Sequence, residues 1–172
     1  AVNVDITTKK VAGFVEAEEV AERVSFNGWS KTTEDKANMK MKITLGEFLY
    51  ISTEILDQSV EEKQKDGSVK RKPIYVGSFK YTFPIYVDMT SPAGDAQLHL
   101  NITAKVPTPL TYTDSHKFSS RGEASEYMKE NKDVFIEKVI RDEAFAAASH
   151  AISAATSNYG FGSTTEKASY VF

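Results

Sequence analysis

Three stretches between Met39 and Val106 place an apolar side chain at every second position. Met39, Met41, Ile43 and Leu45 alternate with Lys40, Lys42 and Thr44. Tyr75, Phe79, Tyr81, Phe83, Ile85 and Val87 share one parity. Ala96, Leu98, Leu100, Ile102, Ala104 and Val106 alternate with polar residues from Gln97 to Lys105. A period of two means a strand with one buried and one wet face, the habit of antiparallel sheets. Val2, Val4 and Ile6 repeat the pattern on a shorter scale.

The remaining segments follow other rules. Ala17, Val20, Ala21 and Val24 fall on one side of a helix over 16–26, with Glu16, Glu18 and Glu19 near its positive end and Asn27-Gly28 as its stop. The strand over 39–55 carries Gly46 in its middle, which predicts a bend or a change of layer there. Residues 57–72 hold the densest charge and contain Asp66-Gly67, so an exposed hairpin tip is expected. In the strand over 74–89, Pro84 interrupts the hydrogen-bond ladder. Residues 91–95 read as a turn, and Leu110, Tyr112 and Phe118 as a further strand. Ser120 and Glu123 have capping-box spacing before helical segments over 123–131 and 132–158. The second of these presents Phe135, Val139, Ile140, Ala144, Ala147, Ala148, Ala151 and Ala155 at three- and four-residue steps, and Gly160-Phe161-Gly162 is expected to end it. Residues 166–172 are read as a last short strand or a tail.

These patterns predict the α+β class: a mainly antiparallel sheet of about five strands, packed against a short early helix and a long C-terminal helix. With 172 residues the chain fits a single domain spanning 1–172, either whole or one piece of a longer exported protein. By element order alone the chain resembles the helix-grip arrangement, in which a curved sheet wraps a terminal helix around an apolar cavity. That resemblance implies a small apolar ligand between sheet and long helix, lined by residues such as Phe79, Phe83, Leu100 and Ile140.

Net charge −3, with acids and bases interspersed, disfavours nucleic acid as a partner. No apolar run approaches the length of a membrane span. Without cysteine there is no disulfide, thiol nucleophile or cysteine metal ligand. The chain begins at Ala1, from which we expect an extracytoplasmic protein, whether secreted, periplasmic or part of the cell envelope.

Candidate sites were weighed against their structural uses. His99, His116 and His150 lack a second ligand at recognised spacing, so no metal and no cofactor are expected. Adjacent residues of an extended chain point to opposite faces, so Asp114-Ser115-His116 cannot by itself form a nucleophile–base–orienter relay. Asp88, Asp95 and Asp114 offer carboxylates without a defining spacing. Gly160-Phe161-Gly162 follows a helix, where a phosphate loop would precede one. Asn101-Ile102-Thr103 is a glycosylation sequon set within a strand. The run Tyr75, Phe79, Tyr81, Phe83 is expected to be core. Phe48, Tyr50 and Tyr86 oppose the main apolar parity, and with Lys70, Arg71 and Lys72 they form the expected interaction surface. The reading that follows is a non-enzymatic binding or assembly module with a protein partner, with the apolar-ligand binder as its alternative.

Overall fold

The computed structural model describes residues 1–90, 97–101 and 109–159. Seven strands and three α-helices make up these residues: β1 (Val2–Thr7), α1 (Ala17–Glu22), β2 (Met39–Leu45), β3 (Leu49–Lys63), β4 (Val69–Thr82), β5 (Ile85–Thr90), β6 (Gln97–Asn101), β7 (Leu110–Phe118), α2 (Arg121–Glu130) and α3 (Lys132–Tyr159). The class is α+β, with antiparallel pairing dominant and a long helix late in the chain. The strands form two sheets, ordered β1-β2-β5-β6 and β3-β4-β7. The chain divides into two compact units. The first comprises Ala1–Glu47, Pro84–Lys105 and Arg141–Phe172; the second comprises Phe48–Phe83 and Val106–Ile140.

The sheet of the first unit shows what a strict two-residue period does. Met39, Met41, Ile43 and Leu45 on β2, with Ile85, Val87 and Met89 on β5, are fully buried on one face. Cross-strand register builds rows over this sheet: Ile6, Ile43, Val87 and Leu100 lie side by side on the apolar face. The neighbouring row on the wet face is Asp5, Lys42, Asp88 and His99. β1 pairs with β2 in parallel, the one parallel ladder among the described strands.

Gly46 accounts for the division of the expected 39–55 strand into two. Its N–H donates to the Pro84 carbonyl at 2.8 Å, and a Cβ at this position would stand 2.6 Å from that same oxygen. β2 therefore stops at Leu45, and the long 74–89 run stops at Thr82 and restarts at Ile85. The early helix is also shorter than its 16–26 pattern. Val24 is buried all the same, beyond the helix end, and Gly28 closes a turn in which Trp29 N–H reaches the Phe26 carbonyl.

α1 is tied to α3 by charge. Arg141 donates to both oxygens of Glu19, at 2.8 and 3.1 Å, and also to the Phe14 carbonyl. Glu19 accepts from the Glu16 N–H at 2.9 Å as well. The Arg141 hydrogen bond first, and the Glu16 N–H second, lower the Glu19 carboxyl from 4.5 to about 2. A depressed carboxylate contributes stability that is present above its unfolded value and lost as pH falls through the folded one. Melting temperature is therefore expected to fall between pH 4.5 and about 2, and Glu19→Gln to flatten that acid limb. An unchanged limb in thermal scans of the variant would remove the pair from the acid response.

In the second unit, α2 and the first turns of α3 cover an aromatic sheet face. Phe79 stands between Tyr50, Tyr81 and Tyr112, with ring centroids 5.0–5.8 Å apart, and Phe135 closes on Tyr112 at 5.5 Å. Ser120 caps α2 by accepting from the Glu123 N–H at 3.2 Å. The break between α2 and α3 falls at Asn131, whose side-chain amide and backbone N–H both bond the Tyr127 carbonyl.

Candidate functional site: an exposed two-stranded arm

β3 and β4 pair without interruption from Ser52↔Lys80 to Lys63↔Val69. β7 accompanies β4 only between Tyr75 and Tyr81. Beyond Tyr75 the ribbon is two strands wide for roughly 20 Å. Every residue from Asp57 to Pro73 is exposed except the half-buried Val60. The tip is a three-residue loop: Gly67 N–H bonds the Gln64 carbonyl, Gln64 N–H bonds the Ser68 carbonyl, and Gly67 takes φ +84°. That left-handed conformation suits glycine because it has no Cβ. Asp66 accepts from the Ser68 N–H at 2.9 Å and its hydroxyl at 2.6 Å, which lowers its carboxyl below the usual range.

The arm's acids gather on β3, which also carries Lys63, and its β4 side holds bases only. Asp57, Glu61 and Glu62 lie on β3; Lys70, Arg71 and Lys72 lie on β4, with Glu61 opposite Arg71 and Glu62 opposite Lys70. The Arg71–Glu61 contact is 3.4 Å between well-exposed groups, and pairs of this kind contribute about 1 kcal/mol or less. At its base, Arg121 of α2 bonds Asp57 at 2.7 Å. A two-stranded ribbon without a covered face is marginally stable by itself, so the order of this arm is set at its base.

The expected surface residues divide between places. Lys70, Arg71 and Lys72 are on the arm. Phe48 and Tyr50 are half-buried in the second unit, Phe48 stacked on Tyr81 at 5.2 Å and Tyr50 against Phe79 with the Lys132 ammonium over its ring. A register shift at Ile51 explains their parity: the extra residue puts Tyr50 and Thr53 on the same side. Tyr86 lies in the first unit, half-buried and stacked on His99 at 5.6 Å. His99 also contacts the Asp88 carboxylate. The wet face beside them holds an open groove of about 590 Å³, lined among others by Asn3, Asp5, Lys40, Lys42 and Thr90. His150 is exposed on α3. Asp95, residues 102–103 of the sequon and residues 160–172 lie outside the described residues.

Asp114-Ser115-His116, weighed in the sequence only as a tripeptide, sits where β7 bulges and joins a polar cluster with Tyr112 and Tyr127. Asp114, Ser115 and His116 stand opposite Gly77 alone. Asp114 is 7% exposed, and its carboxylate accepts from the His116 N–H and Nδ1, both at 2.9 Å, and from the Tyr112 hydroxyl at 3.3 Å. Tyr127 of α2 places its hydroxyl 3.0 Å from the same Nδ1. Burial, and then the Asp114 charge, raise the Tyr127 phenol above its ordinary value. Ser115 is exposed on the opposite parity. Asp114 and His116 share a face because they are two residues apart, a relation visible in the sequence; Tyr127 arrives only through the packing of α2. The cluster fastens the bulge to α2. Asp114→Ala removes the buried carboxylate that the His116 and Tyr112 donors share and is expected to cost about 1–3 kcal/mol in denaturant unfolding, the range of hydrogen bonds to a charged group. In Asp114→Asn, NMR titration of Tyr127 is expected to show its ionisation moving down while remaining above the ordinary value, since burial is the larger cause. An unshifted Tyr127 would exclude the Asp114 charge as a contributor.

No helix among the described residues is long and apolar enough to cross a membrane. No protein-family model matches the chain, and no curated protein does. Among solved structures, a minor lipoprotein from Acinetobacter baumannii aligns over 87% of this chain and 92% of that chain, at 9% identity and a TM-score of 0.28. A likeness of that degree carries no argument about fold or function.

Proposed function

We propose that the protein is a non-enzymatic binding module, extracytoplasmic, that engages another protein through the β3–β4 arm. The observation that supports this most directly is the ribbon from Asp57 to Pro73, exposed along its length, with the acids gathered on β3, beside the single base Lys63, and only bases on β4. Stability does not require such an extension, because residues 57–73 bury almost nothing beyond part of Val60. Projecting strands of this kind suit recognition, where backbone groups supply affinity and side chains supply choice. For the apolar-ligand alternative, Phe79, Phe83 and Ile140 are engaged in core packing at 1–2% exposure.

Replacing residues 61–71 by Asn-Gly joins Val60 to Lys72 in their existing register and removes the distal arm. The shortened protein is expected to keep its melting temperature and lose its partner. A photoreactive residue at Lys65 is expected to cross-link that partner in cells of the source organism, while one at Lys129 on α2 is not. Adducts from Lys129 alone, with a shortened arm that still binds, would end this reading.

A further inference from the structure

We propose that the free edge of β3, from Thr53 to Lys63, accepts an extended basic segment of the partner protein as an added strand. This rests on the arm being the contact element and names what it binds.

The phase of the hydrogen bonds is set at the tip. Gln64 N–H bonds the Ser68 carbonyl, so Gln64 faces its partner strand. In an antiparallel pair alternate residues exchange both bonds. Counting back by twos, the even-numbered residues of β3 turn their backbone groups toward β4. Thr53, Ile55, Asp57, Ser59, Glu61 and Lys63 turn theirs outward. Among the described residues β3 pairs only with β4, and its register from Ser52 to Lys63 contains no bulge, proline or glycine. Such an edge is a template for another strand.

The other edges of this sheet are blocked. Along the arm, the outward phase of β4 includes Pro73, opposite Ser59, which has no N–H to offer. β7 is interrupted by the three residues opposite Gly77. Only β3 presents an unbroken ladder.

Charge then selects the occupant. β3 carries Glu54, Asp57, Glu61 and Glu62 against Lys63, and the first three of these acids already meet Lys80, Arg121 and Arg71 in exposed ion pairs. Its present neighbour already shows the complement: Lys70 and Arg71 stand opposite Glu62 and Glu61. A second copy fits less well. Parallel β3 strands in register set each acid against itself, an antiparallel pair centred on Gln58 sets Glu54 against Glu62, one centred on Val60 joins only residues 57–63 with Asp57 opposite Lys63 at each end, and the β4 edge of another copy has Pro73. The occupant is a foreign extended segment that sets lysine or arginine at alternate positions, against the acids of one strand face.

The test uses the full chain and an alternating Lys-Val peptide of about eleven residues, with a Glu-Val peptide of equal length as the contrast. Calorimetry is expected to show Lys-Val binding at least about tenfold tighter than Glu-Val. Amide exchange at the outward residues, Thr53 to Glu61, is expected to slow when Lys-Val binds. Ser59→Pro removes one outward N–H and none of the β3–β4 bonds, so it is expected to weaken Lys-Val by about tenfold or more. The double variant Glu61→Lys/Glu62→Lys is expected to shift preference toward Glu-Val, which keeps the proposal testable should Ser59→Pro fail to fold. Lys-Val binding that survives Ser59→Pro without amide protection overturns strand addition and leaves the arm as a charged contact. Equal binding of the two peptides, or binding of neither while the arm still cross-links its partner, also overturns it. A failed cross-link from the arm counts against the broader reading instead.

Discussion

Phe79→Ala is expected to destabilise the second unit by about 3–5 kcal/mol, the largest effect of any single truncation there. Phe79 is 1% exposed, central on β4, and touches rings on both flanking strands: Tyr50 on β3 and Tyr112 on β7. Its removal takes away burial and leaves a cavity that three stiff aromatic neighbours cannot close by rotating. Phe79→Leu restores most of the volume and is expected to recover more than half of the loss. The measurement is the denaturant midpoint, read by the near-ultraviolet signal of the surrounding tyrosines. A cost of about 1 kcal/mol or less for the alanine variant would mean that this aromatic layer is loosely packed.

Ile43→Ala is expected to cost about 2–5 kcal/mol in the first unit. Ile43 lies mid-strand between Ile6 and Val87, fully buried in the four-strand apolar row. The adjacent residue offers an internal contrast. Lys42→Ala, one position away on the wet face, is expected to change stability by about 0.5 kcal/mol or less. The difference between neighbouring residues is the physical content of the two-residue period, and chemical denaturation of the two variants measures it directly. Equal costs would place the sheet's apolar face elsewhere.

The contrast also explains which parts of the fold were legible in the chain. Parity is local, so the buried set Met39, Met41, Ile43 and Leu45 follows from the sequence without knowledge of any partner strand. The hairpin tip is local too: Asp66-Gly67 needs nothing beyond its neighbours to make the turn. Ser120 and Glu123 announced α2 for the same reason. What failed was whatever depended on an encounter between distant residues. Gly46 was visible as a discontinuity, but its cause is the Pro84 carbonyl nearly forty residues later. About five strands were expected where the described residues form seven, because both long runs break at that meeting point. Parallel pairing of Val2 with Met39 leaves no trace in either strand. The helix pattern over 16–26 overran its true end at Glu22, since a buried Val24 satisfies the spacing whether or not the backbone is helical.

The arm was legible as a charged tip, and Lys70, Arg71 and Lys72 are exposed on it. Its outward hydrogen-bond phase was not, because that depends on the bond at Gln64 and Ser68. Phe48 and Tyr50 were read from parity as a surface pair, and the shift at Ile51 is what redirects them. A bulge adds a residue without any fixed signature, so parity arguments hold only between bulges.

The hairpin of β3 and β4 lies in the chain between two strands that are themselves neighbours, β2 and β5. Bringing Leu45 to Ile85 in an open chain means closing a loop of about 40 residues, whereas a zipped hairpin leaves only about five flexible ones; the logarithmic closure law puts the difference near 2 kcal/mol. Hairpins of this kind form within microseconds, well before strands far apart in sequence find each other. The insertion thus acts as an entropic splint during folding, and residues recruited for an encounter with a partner first serve the chain's own assembly.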